Sequence, residues 1–200
     1  MPPDPASNHK PLIAITGATG GLGRAFAVEC ASRSWDLFLT DLAVIPFPDL
    51  GQKIAMAEYA IEMAHKFGIG KPKLALIGAS EKVSHHFPNT ADYVEMCKMA
   101  KEGKFSDCIL DGPLDLFLAC DMESVRIKGV TTPVNGDADI LLFPSLESGN
   151  PFYKALMLFA GGQLAGLIRG TEKPVIVMSR SESEKSKYYC IALSCLMAEA

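Results

Sequence analysis

The sequence predicts an α/β fold: a three-layer sandwich around a parallel sheet, in which a Rossmann-like N-terminal βαβ unit is joined to a second part. Two observations carry this reading. Apolar runs of strand length alternate with longer segments of helical period almost from end to end, the pattern of an α/β chain with a largely parallel sheet. A glycine-rich turn, Thr16 to Gly23, also falls between the first apolar run and the first helical segment.

Taken in order, Pro11–Thr16 reads as a buried strand, residues 21–34 as a helix and Asp36–Thr40 as a second strand. The run Val44-Ile45-Pro46-Phe47-Pro48 then forces an extended path, because proline fixes φ and restricts the residue before it. A boundary is expected there, dividing the chain into 1–46 and 47–200. Asp49 is placed to cap a helix running to about Phe67, with Ile54, Ala57, Ile61 and Ala64 on one face and Gly68 and Gly70 as its stop. Beyond it the spacing predicts strands at 73–77, 107–110 and 140–143, with helices near 90–102, 115–122 and 150–160. Strands at 164–168 and 175–178 and a helix from Glu182 to about Met197 complete the chain. Neither internal repeats nor low-complexity tracts are visible.

With 200 residues, 48% hydrophobic, the chain can build a real core. Nineteen basic against 23 acidic side chains give a net charge of −4 without a Lys/Arg block, which argues against a nucleic-acid partner. Apolar stretches such as Ala155–Gly162 stop well short of the ~18–20 residues that cross a bilayer, so no membrane span is expected. Met1–Asn8 lacks the pattern of a secretory signal, and a cytoplasmic location is expected. Six scattered cysteines (Cys30, Cys97, Cys108, Cys120, Cys190, Cys195) show no metal-ligand spacing and read as reduced, mostly buried thiols. His85 and His86, adjacent in a loop, are expected to face different ways into solvent, and no metal site is expected.

In Thr16-Gly17-Ala18-Thr19-Gly20-Gly21-Leu22-Gly23, glycines would let the backbone approach a pyrophosphate at the helix N-terminus. Asp41 follows the next strand, where a carboxylate would bind an adenosine ribose. Over roughly residues 10–44 this resembles the opening of short-chain dehydrogenases/reductases, which implies NAD(P) binding through Gly17, Gly21, Gly23 and Asp41. Hydride chemistry in that family also needs a Tyr-x-x-x-Lys pair, in which lysine lowers the phenol's pKa. None of the five tyrosines has Lys four residues on.

A longer resemblance runs from about residue 48 to the C-terminus. It is carried by Pro48-Asp49-Leu50, Lys71-Pro72-Lys73 through Ile77-Gly78-Ala79-Ser80-Glu81-Lys82-Val83, and Asp111-Gly112-Pro113-Leu114-Asp115. It continues through Val134-Asn135-Gly136-Asp137-Ala138-Asp139-Ile140-Leu141, then Pro144, Glu147, Gly149, Asn150 and Tyr153-Lys154, and ends at Lys173-Pro174 to Ser179-Arg180. In order and spacing these blocks resemble the phosphate acetyl/butyryltransferase family. That resemblance implies acyl transfer between coenzyme A and phosphate, with acyl-CoA and phosphate as substrates and a homodimeric state.

The residue types suit such chemistry, which must hold a phosphate dianion and stabilise the oxyanion on the acyl carbonyl. Ser179 and Arg180 follow an expected strand and precede a helix, where open α/β sheets bind ligands, and Arg grips phosphate with two donors. The resemblance implies that Arg180 holds phosphate and that Ser179 hydrogen-bonds the reacting sulfur or oxyanion. The acetyl branch places an acidic base near what is here Ser186, so Glu182 or Glu184 would stand in, with Glu184 the catalytic candidate. Asp111, Gly112, Pro113, Asp137, Asn150, Tyr153 and Lys154 are candidate substrate contacts. Glycine- and proline-bearing turns, and a cap at Asn150, are the competing structural reading of these positions. The alternative function is an NAD(P)-binding module without hydride transfer.

Overall fold

The computed structural model describes residues 12–14, 37–40, 44–160, 162–172, 175–180 and 182–198. Five strands, β1 (Leu12–Ala14), β2 (Leu37–Thr40), β3 (Lys73–Ile77), β4 (Ile109–Leu114) and β5 (Ile140–Leu142), form one sheet in the order β1-β2-β5-β3-β4. Every pairing is parallel. The helices are α1 (Leu50–Lys66), α2 (Asn89–Lys101), α3 (Leu116–Cys120), α4 (Met122–Lys128), α5 (Leu146–Phe159) and α6 (Glu184–Leu196). The expected glycine-rich turn, the helix over 21–34, and Gly17, Gly21, Gly23 and Asp41 lie outside the described residues.

The central strands β3 and β5 read as nearly unbroken apolar runs because both of their faces are covered. Alternate residues therefore enter two different cores. Phe38, Leu74, Leu76, Ile140 and Leu142 pack with Ala57, Ile61 and Met63 of α1, Tyr93 and Met96 of α2, and Tyr189 and Leu193 of α6. Their neighbours Leu39, Ala75, Ile77 and Leu141 pack with Leu118 of α3, Val125 of α4 and Tyr153 of α5. At roughly 25 cal/mol per Å² of apolar surface removed from water, these two layers supply the main drive to fold.

Asp49 caps α1 as its sequence position predicts: its carboxylate accepts from Gln52 N at 2.8 Å, and Gln52 Oε1 accepts from Asp49 N at 2.9 Å. Gly68, at φ +86, ends the helix where a side chain would be strained. Lys53 is buried, and its ammonium is held by Pro48 O at 2.7 Å and Asp92 Oδ2 at 2.6 Å, tying the start of α1 to α2.

Several elements differ from expectation. The edge strand β4 runs on through Asp111-Gly112-Pro113 to Leu114 instead of stopping at Leu110, and α4 is a helix beyond those expected. Helix α5 starts at Leu146 with Ser145 before it, so Asn150 lies inside the helix and is not its cap. The two strands expected at 164–168 and 175–178 reduce to a single antiparallel bridge, Ile168 to Val175. β2 and β5 already have a strand on each side, and Val177 is 57% exposed, without the facing layer that a buried strand requires. Strand β2, from before the proline run, pairs with β5 from beyond it, so the segments on either side of residues 46 and 47 build one sheet.

Candidate active site

Ligands of open parallel sheets bind outside the carboxyl ends of the strands. Here that edge is made by Thr40, Gly78 after β3, Asp115 after β4 and Phe143 after β5. The chains crowd at one corner: Gly78 N donates to Leu114 O at 2.8 Å, and a side chain at Gly112 would stand 2.5 Å from Leu76 Cβ. Asp115 caps α3 by accepting from Leu118 N at 2.9 Å and pairs with Lys128, whose ammonium also lies 4.0 Å from Glu81. Burial pushes the Asp115 carboxyl up, but the Lys128 ammonium and the helix amides outweigh it and hold the group below its usual range.

The Asp111 carboxylate is engaged by the protein itself. Its Oδ2 accepts from Thr132 Oγ1 at 2.6 Å, and Oδ1 lies 3.8 Å from Cys97 Sγ, which also donates to Gly112 O at 3.4 Å. Burial, and then the Asp111 charge, push the Cys97 thiol up to about 11. Gly112 and Pro113 are sheet residues of β4 joined by a cis peptide. Asp137 sits at the opposite edge: it pairs with Lys73 Nζ at 3.0 Å, beside the 2.7 Å bond from Lys73 N to Asp139 Oδ2, at the amino ends of β3 and β5.

Tyr153 and Glu182 lie within electrostatic range of each other. Tyr153, on α5, is 8% exposed, and its hydroxyl is pushed up by burial and by the Glu182 charge. Glu182 N donates to Ser179 O at 3.1 Å, a backbone bond that ties Glu182 to the segment carrying Ser179 and Arg180. Cys190 of α6 also feels Glu182 after burial, and its sulfur accepts from Gly166 N at 3.1 Å. Ser179 and Arg180 are both exposed. Lys154 is exposed, with its ammonium 6.0 Å from the centre of the Tyr153 ring, and Asn150 is half-buried in the second turn of α5. Glu184 is exposed in the first turn of α6. Ser186, at the position of the acidic base of the acetyl branch, is 1% exposed and bound to the Ser183 cap through both its N–H and its hydroxyl.

Sequence reasoning singled out neither Arg169 nor Tyr59. The Arg169 guanidinium pairs with Glu62 and lies 5.1 Å from the Tyr59 ring centre. Its signal was a lone charge inside the apolar run Leu164–Ile168 to Gly170. Of the five described cysteines only Cys190 is buried, which corrects the expectation of mostly buried thiols. His85 and His86 are exposed as expected, yet their ring centres lie only 3.9 Å apart instead of facing different ways. No cluster of three or more metal-ligating side chains occurs among the described residues. Among the same residues no helix is long and apolar enough to cross a membrane.

The family described as phosphate acetyl/butaryl transferase matches residues 13–195. The match begins inside the stretch read as dehydrogenase-like, so the family relation is longer than the motifs from residue 48 onward. The phosphate butyryltransferase of Clostridium acetobutylicum is 40% identical over 183 residues, covering 92% of this chain and 60% of its own. The phosphate acetyltransferase of Thermotoga maritima is 38% identical over 162 residues, covering 81% of this chain and 55% of its own. Among solved structures, a branched-chain phosphotransacylase from Enterococcus faecalis superposes with a TM-score of 0.73 at 35% identity, over 80% of this chain and 58% of that one. The chain thus spans little more than half the length of the relatives it matches. With 183 of its 200 positions inside the family match, the chain belongs to the phosphate acetyl/butyryltransferase family.

Proposed function

We propose that this chain transfers an acetyl, butyryl or similar short acyl group between coenzyme A and inorganic phosphate in the cytoplasm. The observation that carries the reading is the family relation across residues 13–195. In the proposed reaction a phosphate oxygen attacks the thioester carbonyl, an oxyanion forms and collapses, the C–S bond breaks, and coenzyme A leaves as its thiolate. Arg180 holds the phosphate dianion through its forked donors, and Ser179 donates to the oxyanion or the departing sulfur. Both side chains are exposed and so open to substrate. Of the two acids assigned to proton transfer, Glu184 is solvent-facing, whereas Glu182 is half-buried and within electrostatic reach of Tyr153. Tyr153, Lys154 and Asn150, all on α5, are assigned substrate contacts by the family relation.

Asp111 and Asp137 have protein partners for their carboxylates, so we assign them support of the loop at Thr132 and of the β3 amino end. We further propose a homodimer, which sedimentation equilibrium tests. The purified chain is to be mixed with acetyl-CoA or butyryl-CoA, and thiol release followed with and without phosphate. Phosphate-dependent release is expected. Equal release in both conditions overturns the assignment.

A further inference from the structure

Acyl transfer between a thiol and phosphate has to move one proton as well as the acyl group. Coenzyme A is a thiol in solution, whereas the sulfur that makes or breaks the C–S bond is a thiolate, so a group beside the reacting atoms must accept that proton and return it.

Glu182 follows Arg180 by two positions, and its N–H donates to Ser179 O at 3.1 Å, closing a turn on the segment that carries Ser179 and Arg180. It is half-buried, and its charge is felt by two buried residues on different helices, Tyr153 of α5 and Cys190 of α6. The carboxylate therefore lies where those helices approach the turn. Among the described residues it is the one half-buried carboxylate with neither an ion pair nor a side-chain hydrogen bond. The others are answered, Glu62 by Arg169, Asp92 by Lys53, Asp111 by Thr132 and Asp115 by Lys128 among them. Arg180, Glu184 and Lys185 flank Glu182 in sequence, and Lys154 stands beside Tyr153, yet none of these three cations is within ion-pair distance of it. The ammonium groups of Lys154 and Lys185 lie 6.0 and 5.7 Å from the ring centres of Tyr153 and Tyr189. A carboxylate that sheds part of its water without gaining a partner is costly, and native folds keep few such groups outside functional sites.

We infer that Glu182 is the catalytic carboxylate that carries the proton between the coenzyme A sulfur and phosphate. The role rests on the acyl-transfer reading, and it falls to Glu182 over Glu184, which is exposed in the first turn of α6. With acyl phosphate as donor, a Glu182 carboxylate oxygen takes the thiol proton and the sulfur attacks the acyl carbon. The C–O bond to phosphate then breaks, and the proton passes from Glu182 to the departing phosphate oxygen. The opposite direction retraces these steps, with no net gain or loss of a proton.

The test follows thioester formation from butyryl phosphate and coenzyme A by the full chain, from about pH 6.5 to about pH 8.5, below and up to the range where thiols ionise unaided. Glu182→Gln is expected to lose about 100-fold in kcat near pH 7. Its melting temperature should not fall, because no partner is lost. Its rate should climb about tenfold per pH unit, since solution must then supply the thiolate, whereas the wild-type rate stays nearly level. Glu184→Gln should lose at least about tenfold less than Glu182→Gln. A loss under about threefold in Glu182→Gln, a loss without the rise with pH, or a larger loss in Glu184→Gln overturns the inference. A wild-type chain that forms no thioester overturns the acyl-transfer reading and this role with it, while an active wild type with an equally active Glu182→Gln removes the role alone.

Discussion

Asp111 Oδ2 accepts a 2.6 Å hydrogen bond from Thr132 Oγ1, a residue that is 7% exposed, and so pins the loop before Val134 to strand β4. A charged acceptor in a part-buried bond is worth about 1.5–3 kcal/mol. Asp111→Asn should therefore lower unfolding stability by about 1–2 kcal/mol in a urea titration. In a double-mutant cycle with Thr132→Val, the two losses should fall short of adding, since they share one interaction. Additive losses would mean that the pair is not coupled.

The buried ammonium of Lys53 gives a sharper stability test. Asp92→Asn takes away the negative charge that answers this cation, leaving it only neutral acceptors such as the Pro48 carbonyl. Because Asp92 is itself 30% exposed, the expected loss is about 2–3 kcal/mol, below the ~3–5 kcal/mol typical of a fully buried pair. Lys53→Met, which removes the charge that needs a partner, should cost less than Asp92→Asn. The reverse order by chemical denaturation would refute this account.

Gly112→Ala should destabilise by about 3 kcal/mol, because the added carbon would stand 2.5 Å from Leu76 Cβ and 2.7 Å from Leu76 O, forcing β4 away from β3. Gly103→Ala, where φ is +89 but the surrounding space is open, should cost only about 1 kcal/mol. Thermal unfolding of both variants decides the ranking.

Stability should also fall at alkaline pH. Burial, and then the Asp111 charge, raise the Cys97 thiol from 9.0 to about 11, and burial raises Cys108 to about 12. Burial likewise raises the Tyr93 hydroxyl, which donates to Ile77 O at 3.0 Å. All three hold their protons more tightly folded than unfolded, so the stability they confer is complete below pH 9 and is lost as pH rises through about 11–12. Urea titrations at pH 8 and pH 10.5 should show the decline; a flat profile would rule these groups out.

Arg180→Ala should lower phosphate-dependent kcat/KM at least about 100-fold, the order lost when an oxyanion or phosphate donor is removed. Its exposed position means that the melting temperature should hardly change. Arg180→Lys should restore only part of the rate, because an ammonium lacks the fork that matches phosphate. An unchanged rate in the alanine variant removes Arg180 from the site.

What could be read from the sequence follows the range of each interaction. The Asp49–Gln52 capping box spans three residues and was legible, as were the strands at Lys73–Ile77 and Ile140–Leu142. Asn150-Pro151 reads as a helix start because proline favours a first turn, yet α5 has already begun at Leu146 and carries Pro151 inside it. The apolar run 175–178 has strand composition, but a strand needs a neighbour, and no local pattern tells that β2 and β5 are already flanked. At the site, Asp111 meets Thr132 across 21 positions, which no local pattern reveals. Asp137 was decidable, since a residue just before a parallel strand lies at the amino edge, away from the ligand-binding end.

The β2–β5 pairing also bears on how the molecule would respond to damage. A nick within Val44–Pro48 would not release an autonomous N-terminal fragment, because Leu39 and Thr40 stay hydrogen-bonded in register with Leu141 and Leu142 and Phe38 remains sealed among α1 and α6 side chains. Cleaved chains should co-migrate under native conditions and separate only in denaturant, as expected of a complemented pair of fragments.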